Sequence, residues 1–300
     1  MAEIEILKVD VFTDELYMGN PASVVLEADQ LDEIQMQRIA FEAGSPATAF
    51  VLRSKRADIR LRYFSPYSEE QLSGHATVGA VWCLAERRAL GSMTGSRQRI
   101  ETNAGILPFL IEGGADGPKM IWMTQKRPMF AREGDIKEVA SALGVGVDSL
   151  FHDEFPIGRV STGLPCLIVP VRSIDIIGRL EPKRDELSML SRELDVAGVY
   201  AFTWNVLQQD STVHARFFTP LPEPQEDAAS GLPAGALAAY LVENDFIQKE
   251  RHSSIIVEQG HWMGRPSKIH VRVEKRGATI SKVEVGGSAV VSLKGRLLVP

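Results

Sequence analysis

Two short segments determine the fold of this chain: Arg62-Tyr63-Phe64-Ser65-Pro66 and, after a polar loop, Ser73-Gly74-His75-Ala76-Thr77-Val78-Gly79-Ala80. The first segment predicts a strand, because its aromatic residues end at a proline that cannot continue a hydrogen-bonded ladder. The second predicts a helix that begins with a Ser-Gly cap and has small and apolar residues on every side as far as Leu84. A helix without a polar face over its first three turns has to be surrounded by protein. We therefore expect it at the centre of a domain.

The same order of residues returns later in the chain. Arg216-Phe217-Phe218-Thr219-Pro220 is followed by a polar loop and then by Ser230-Gly231-Leu232-Pro233-Ala234-Gly235. The alternative is two unrelated strand–loop–helix units that share common residue types. Agreement at so many ordered positions favours an internal duplication. The chain is thus predicted to form two similar lobes, each around a buried helix whose N-terminus faces one cleft, and function is expected in that cleft.

Composition limits the classes of function. A chain of 300 residues exceeds the usual size of one domain, so two domains are expected. The net charge of −6, without any basic block, argues against a nucleic-acid-binding protein. The chain start does not resemble a signal peptide, and no apolar run approaches the length of a membrane span. Both cysteines, Cys83 and Cys166, lie in apolar segments, which indicates buried free thiols and a cytoplasmic location.

Many short predicted strands and few helices, arranged twice, indicate an α+β fold. The absence of regular strand–helix alternation argues against a Rossmann-like parallel sheet. A polar stretch at 125–134 is the best candidate for a linker. We therefore assign residues 1–125 to an N-terminal lobe and 126–287 to a C-terminal lobe, and the final strand at 288–300 is a candidate to complete the first lobe.

Both helix starts are candidate anion-binding sites. The first N–H groups of a helix have no partner within it and carry partial positive charge, which suits a carboxylate or a phosphate. Glycine at the second position, Gly74 and Gly231, lets a ligand approach the backbone closely. Alternatively, Ser73 and Ser230 with these glycines are only a cap and a tight helix entry. The duplication favours the anion-binding interpretation.

Two titratable residues accompany these helix starts. His75 lies in the first turn, where the helix dipole lowers its pKa and favours the neutral imidazole that transfers protons. A lone histidine is alternatively a satisfied structural residue. Asp227 precedes the second helix and could be part of a solvated acidic turn, or could act with His75 in proton transfer. Motifs for metals, nucleotides and serine nucleophiles are missing, so no metal or cofactor is expected.

The chain resembles the PhzF-like phenazine-biosynthesis family, over nearly its whole length and in order. The resemblance rests on these segments: Phe12-Thr13, Gly19-Asn20-Pro21, Phe64-Ser65-Pro66, Ser73-Gly74-His75-Ala76-Thr77, Arg216-Phe217-Phe218, Glu226-Asp227, Ser230-Gly231, Gln259-Gly260, Met263-Gly264-Arg265-Pro266-Ser267 and Val285-Gly286-Gly287. The resemblance implies a diaminopimelate epimerase-like fold: two lobes, each a curled, mostly antiparallel sheet around a central helix, with the active site between them. It also implies a homodimer.

The resemblance further implies a cofactor-free isomerase that moves a proton on a small cyclic carboxylate, as in the isomerisation of trans-2,3-dihydro-3-hydroxyanthranilate. The family's acid/base glutamate falls on Ala47 of this sequence, its histidine on His75 and its aspartate on Asp227. Because alanine cannot carry a proton, either the reaction differs from the family's known one, or His75 and Asp227 carry out the transfer, or another carboxylate such as Glu42 or Glu69 reaches in. A catalytically silent member that binds a small acid or a protein partner is the alternative. The remaining residues expected at the substrate are Asn20, Pro21, Thr48, Ser73, Gly74, Ser230, Gly231 and Leu232.

Overall fold

A computed structural model describes residues 2–89, 95, 97–114, 116–131, 134–151, 153–220, 226–247 and 252–299. The chain forms two compact units. Unit 1 comprises Met1–Thr124 and Gly286–Pro300, and unit 2 comprises Gln125–Val285. Within the described ranges, no helix has both the length and the apolar character needed to cross a membrane.

Strands make up most of the secondary structure throughout the described chain. The elements up to residue 124 are β1 (Ala2–Val11), β2 (Asn20–Val25), α1 (Glu33–Ala43), β3 (Ala47–Leu52), β4 (Ile59–Phe64), β5 (Glu69–Glu70), α2 (Gly74–Glu86), β6 (Arg97–Thr102), β7 (Gly105–Gly114) and β8 (Gly117–Thr124). The later elements are β9 (Met129–Ala131), α3 (Ile136–Ala142), β10 (Gly158–Ser161), β11 (Pro165–Pro170), α4 (Ile174–Gly178), α5 (Arg184–Glu193), β12 (Val199–Thr203), β13 (Val213–Phe218), β14 (Glu226–Asp227), α6 (Gly231–Glu243), β15 (His252–Gln259), β16 (Ser267–Arg276), β17 (Thr279–Gly287) and β18 (Ala289–Val299). Single 3-10 turns occupy Val147–Ser149 and His261–Met263.

Unit 1 is one sheet curled around α2. The strand order is β18-β1-β2-β3-β4-β6-β7-β8, and only the β2–β3 and β4–β6 pairs are parallel. Each parallel pair is connected by a helix, α1 for the first and α2 for the second. Helix α2 contacts β18, β1, β2, β3 and β8, which lie at both ends and in the middle of the sheet. The sheet therefore wraps the helix.

Unit 2 repeats this topology. Its strands run β9-β10-β11-β12-β13-β15-β16, with parallel β11–β12 and β13–β15 pairs connected through α5 and α6. Helix α6 contacts β10, β11, β15 and β16. Each unit also has a two-residue strand, β5 or β14, that pairs with the end of β4 or β13. The predicted α+β fold with two similar lobes around central helices is confirmed.

The apolar sequences of the central helices are explained by burial on all sides. Every residue of α2 from Ala76 to Leu84 is buried, as is nearly all of α6. Gly79 allows α2 to lie directly on β1, because a Cβ atom there would come within 3.2 Å of the Val11 side chain. Both N-cap serines were expected to cap their helices, but neither side chain makes the capping hydrogen bond.

The stretch at 125–134, expected to be a linker, contains β9, which pairs with β10. Pro21, expected at the substrate, belongs to β2, where it precedes the parallel pairing with β3 that starts at Ala22. Helix α1 begins after an Asp32 cap, and its Ile34 side chain is 64% exposed.

A duplicated arginine–glutamate pair fixes β5 and β14. Arg62 donates two hydrogen bonds of 2.7 and 2.8 Å to Glu69, and Arg216 donates two of 2.9 and 2.7 Å to Glu226. Each guanidinium also lies over a phenylalanine ring two residues later, at 5.2 Å from Phe64 and 4.7 Å from Phe218. The hydrogen bond from Arg62 lowers the pKa of Glu69. Both units therefore hold the strand before the central helix by the same contacts.

We expect Glu226→Gln and Glu69→Gln each to lower the free energy of unfolding by about 1–3 kcal/mol, because each weakens a bidentate, charge-assisted pair that is largely shielded from solvent. Glu3→Gln is the matched control, since the Arg296–Glu3 pair is 77% and 51% exposed and should contribute less than about 1 kcal/mol. Urea unfolding followed by circular dichroism measures all three. Equal effects at the three positions would contradict a special role for the duplicated pair.

Candidate active site

One face of the unit 1 sheet points to α2. The Tyr63 hydroxyl lies 2.6 Å from Thr77 Oγ1 in the second turn of α2, so the Tyr63 side chain is on that face. Tyr63 pairs with Ala49 on β3, and Ala47 is two residues before Ala49. Because alternate residues of a strand share a face, Ala47 also points towards α2. Ala47 is only 1% exposed, so its methyl group occupies a buried position on this face.

The strand register separates the other predicted residues of unit 1 into two sets. Asn20 is two residues before Ala22, which pairs with Ala47, so Asn20 is on the α2 face and is 1% exposed. Thr48 pairs with Phe64, which packs in the cluster with Met36 of α1. Thr48 and Pro21 therefore point to the α1 side of the sheet. The Thr48 hydroxyl is buried without a hydrogen-bond partner.

Ser73, Gly74 and His75 form the start of α2, directly after β5. The Ser73 hydroxyl lies 3.4 Å from His75 Nδ1, and the Ser73 carbonyl accepts a hydrogen bond of 2.6 Å from the Thr77 hydroxyl. A Cβ atom placed on Gly74 would contact nothing within 4 Å, so open space lies over this backbone. The Ser73 side chain therefore does not cap the first N–H groups of α2, and there is open space beside the Cα atom of Gly74.

His75 has the properties expected of a proton-transfer residue. Its Nε2 atom is buried and has no hydrogen-bond partner. Burial lowers the pKa of His75 to about 4, so the ring is neutral at physiological pH. The direction agrees with the expectation from the sequence, but the expected cause was the helix dipole, and the cause found is removal of the ring from water. A neutral imidazole can accept a proton at one nitrogen and donate from the other.

The start of α6 in unit 2 is a closed hydrogen-bond network. The Ser230 hydroxyl donates to Asp227 Oδ2 at 2.5 Å instead of capping the helix. Gln259 Nε2 donates to the Asp227 carbonyl at 2.6 Å and to the Ser230 hydroxyl at 3.1 Å. Gln259 Oε1 accepts from the Tyr200 hydroxyl at 2.9 Å and from the Ser230 N–H at 3.3 Å. The Asp227 carboxylate is thus fixed in position by the residue that precedes α6.

Glycine is required beside this network. Gly260 has φ +84°, and a Cβ atom there would lie 2.3 Å from the Arg265 carbonyl oxygen and 2.5 Å from that of Ala228. The backbone after β15 therefore packs directly against the residue after Asp227. Gly231 and Leu232 contribute backbone carbonyl groups, which accept hydrogen bonds from Gln125 at 2.9 Å and Thr162 at 3.2 Å.

A buried histidine–glutamate pair lies next to Gln259. The side chains of His214 and Glu258 are both fully buried, and His214 Nδ1 is 2.7 Å from Glu258 Oε1. Glu258 also accepts from the backbone N–H groups of Leu207 and Gln208. Burial raises the pKa of Glu258, but the hydrogen bonds from His214 and the two N–H groups lower it more, so the pKa lies below its ordinary value. Glu258 thus holds the loop that contains Leu207 and Gln208, and the next residue of β15, Gln259, holds the Asp227 network.

Known proteins match the chain over nearly its full length. The model of the phenazine biosynthesis-like protein family, PhzC-PhzF, matches residues 9–295. The chain belongs to this family. It is 37% identical over 294 residues to an uncharacterized isomerase of Bacillus subtilis, covering 97% of this chain and 98% of that protein. It matches the crystal structure of a PhzF family protein of Bacillus anthracis with 33% identity and a TM-score of 0.90, over 99% and 100% of the two chains.

The fold is also that of epimerases. A hydroxyproline epimerase from Agrobacterium vitis, solved with bound trans-4-hydroxy-L-proline, has a TM-score of 0.64 at 15% identity, with 99% of this chain and 91% of that chain covered. At this identity the likeness concerns the fold alone. Because the chain belongs to the PhzC-PhzF family and its relatives there are isomerases, the protein belongs to the isomerase class of enzymes.

The structure gives the positions of Glu42 and Glu69, the two carboxylates expected as possible substitutes for the family's glutamate. Glu42 is exposed on α1. Glu69 belongs to β5, where Arg62 and Asn103 hold its carboxylate. Gln259 and Tyr200 were missed as site residues. Gln259 occurs in one of the segments that carry the family resemblance, whereas Tyr200 is in an apolar strand that gives no local signal.

The described ranges contain no group of three or more His, Cys, Asp or Glu side chains that could hold a metal ion. Cys83 and Cys166 are free and buried, as predicted. Burial raises the pKa of Cys83 to about 12 and that of Cys166 further, so neither is a thiolate at neutral pH.

Proposed function

We propose that this isomerase moves a proton between carbon atoms of a small, cyclic carboxylate without a cofactor, with His75 and Asp227 as its proton-handling residues. The observation that carries the proposal is His75: a neutral imidazole with a buried, unpartnered Nε2 at the start of a helix that has no serine cap and has open space beside Gly74. Those N–H groups would bind the substrate carboxylate. The imidazole would then face the carbon acid.

Asp227 would be the second group. Its carboxylate accepts the Ser230 hydroxyl, and Gln259 fixes the surrounding backbone, so its position is preorganised. The substrate-binding residues of this proposal are Asn20, Ser73 and Gly74 in unit 1 and Ser230, Gly231 and Leu232 in unit 2. Ala47 takes the position of the family glutamate and offers only a methyl group, so the reaction would differ from the family's known isomerisation.

Hydrogen–deuterium exchange tests the proposal. We expect the wild-type protein in D₂O to replace a carbon-bound proton of trans-4-hydroxy-L-proline or of trans-2,3-dihydro-3-hydroxyanthranilate, as measured by loss of the ¹H NMR signal. Asp227→Asn should slow this exchange by about 10²–10⁴-fold, the usual contribution of a positioned acid or base. Asp210→Asn is the control, because Asp210 pairs with Lys268 at the surface. Unchanged exchange in Asp227→Asn would contradict its role.

The Ala47 position favours one alternative, a silent family member that binds a small acid or a protein partner. Exchange of neither compound by the wild-type protein, together with saturable binding of either one in calorimetry, would support it. Gain of dihydrohydroxyanthranilate isomerisation by Ala47→Glu would then indicate a lineage that lost this activity.

The cytoplasmic location, the homodimer and the biosynthetic role of the enzyme are also proposals. Two buried free thiols suit the reducing cytoplasm. The family resemblance supports a homodimer and a role in biosynthesis related to phenazines. Light scattering during gel filtration tests the dimer directly.

A further inference from the structure

Two histidines of unit 2 lie side by side, away from the proposed catalytic residues. We propose that His214 and His261 bind one zinc ion, through Nε2 of the first and Nδ1 of the second, with water at the two remaining positions. This inference is independent of the proposed function, because no step of the isomerisation uses the ion.

Both nitrogens are buried and have no hydrogen-bond partner. The His214 side chain is fully buried, and the centre of its ring lies 5.1 Å from the centre of the His261 ring. A buried nitrogen without a partner is costly unless a bound ion or water completes it. Two such nitrogens on adjacent rings indicate that a single ligand completes both.

The separation of the two rings fits a tetrahedral metal. At a zinc ion, an imidazole nitrogen lies about 2.0 Å from the metal and the centre of its ring about 1.1 Å beyond the nitrogen. The tetrahedral angle then places two ring centres about 5.1 Å apart, whereas the right angle of a square-planar Cu²⁺ site places them about 4.4 Å apart. The observed separation of 5.1 Å therefore favours zinc.

Glu258 prepares His214 as a metal ligand. His214 Nδ1 donates a hydrogen bond of 2.7 Å to Glu258 Oε1, and the backbone N–H groups of Leu207 and Gln208 hold this carboxylate. With the proton on Nδ1, Nε2 is the nitrogen that has a free electron pair. Histidines that bind zinc usually donate their other N–H to a carboxylate in this way. The negative charge of Glu258 also favours a cation beside the ring.

The surroundings of the two rings leave a path for an ion. The Trp262 ring packs edge-on against His214 with ring centres 4.7 Å apart, whereas His261 is partly exposed to solvent. The charge of Arg216, which lies over the Trp262 ring, is compensated by Glu226. Among the described residues no third His, Cys, Asp or Glu joins the two histidines, so water is assigned to the remaining positions.

The proposed zinc site is separate from the Asp227 network. The His214 and Glu258 side chains contact each other on one face of β13 and β15. Gln259 is the next residue of β15, so it points to the opposite face, where it holds Asp227. Zinc would clamp the turn at His261–Met263, which follows Gln259 in the chain, to β13.

Calorimetric titration with ZnCl₂ at neutral pH tests the proposal on the full chain without a polyhistidine tag. We expect one zinc ion per chain. Glu258→Gln should weaken binding by about 10–100-fold, because the amide no longer fixes the proton on Nδ1 of His214, and His261→Gln should weaken it by more than this, because a ligand is lost. His270→Gln is the matched control, since His270 is a partly buried histidine on β16, and it should stay within twofold of the wild type.

NMR of ¹⁵N-labelled histidine rings identifies the ligands. Zinc should shift the resonances of His214 Nε2 and His261 Nδ1 and leave those of His75 in place. The absence of saturable binding, equal affinity in the wild type and His261→Gln, or a zinc-induced shift at His75 alone overturns the proposal. None of these measurements uses isomerase activity, so they decide the zinc site whether or not the proposed function holds.

Discussion

His75→Asn is expected to slow deuterium exchange by about 10²–10⁴-fold while the protein stays folded. The exchange is that into trans-4-hydroxy-L-proline or trans-2,3-dihydro-3-hydroxyanthranilate, whichever compound the wild type exchanges. Asparagine keeps a polar side chain of similar size but cannot take up a proton. Since the pKa of His75 lies at about 4, wild-type exchange should stay constant from pH 8 to about pH 5 and fall below that as the imidazolium forms. Exchange rates measured by ¹H NMR across this range give both results.

Stability provides a second readout for His75. The unfolded chain binds a proton on this histidine below about pH 6.5, whereas the folded protein resists protonation until about pH 4, so the wild type should lose stability as the pH falls through this window. His75→Asn should lose less over the same window. His270→Asn should also lose less and serves as a positive control away from the proposed site, because burial and neighbouring charges lower the pKa of His270 as well. Equal pH dependence in wild type and His75→Asn would contradict a neutral buried His75.

Glu258→Ala is expected to lower the free energy of unfolding by about 3–5 kcal/mol, because it removes the acceptor shared by the buried His214 side chain and two partly buried backbone N–H groups. Glu258→Gln keeps one acceptor oxygen and should cost less. Because the pKa of Glu258 is lowered by folding, its contribution is present above the unfolded pKa of about 4.3 and is lost as the pH falls below it. The deficit of Glu258→Ala should therefore shrink between pH 6 and pH 3.

Thermal and urea unfolding measure this deficit. Glu274→Ala on the neighbouring β16 is the control, since the Arg276 side chain that pairs with Glu274 is 77% exposed. A Glu258→Ala protein as stable as the control would show that the buried pair is not needed for folding. A secondary loss of activity is also expected, because Gln259 follows Glu258 and holds the Asp227–Ser230 network.

The central helices could be predicted from sequence because their signal is local. Small and apolar residues on every side of α2 and α6 leave burial as the only stable outcome, and the repeated Arg–aromatic–Phe and Ser-Gly segments reveal the duplication. The short strands β5 and β14 escaped prediction, since two acidic residues carry no strand propensity. Their existence depends on arginines seven and ten residues away in sequence.

The candidate site was predictable to the extent that its residues lie in motifs. His75, Asp227 and the two Ser-Gly pairs follow from their position at helix starts. The faces on which the residues of β2 and β3 lie could not be predicted in this way. Thr48 lies on the α1 side and Asn20 on the α2 side, and only the register with neighbouring strands distinguishes them.

The pairing of β18 with β1 has a consequence for biogenesis. Val299 lies opposite Ala2, so β1 acquires this neighbour only after the ribosome has made all of the chain between the two strands. Until then the backbone N–H and C=O groups along one edge of β1 lack a strand partner. An unpaired strand edge promotes aggregation with other nascent chains. Chaperone dependence during translation should accordingly centre on the amino-terminal strand, whereas unit 2 has all its residues available earlier.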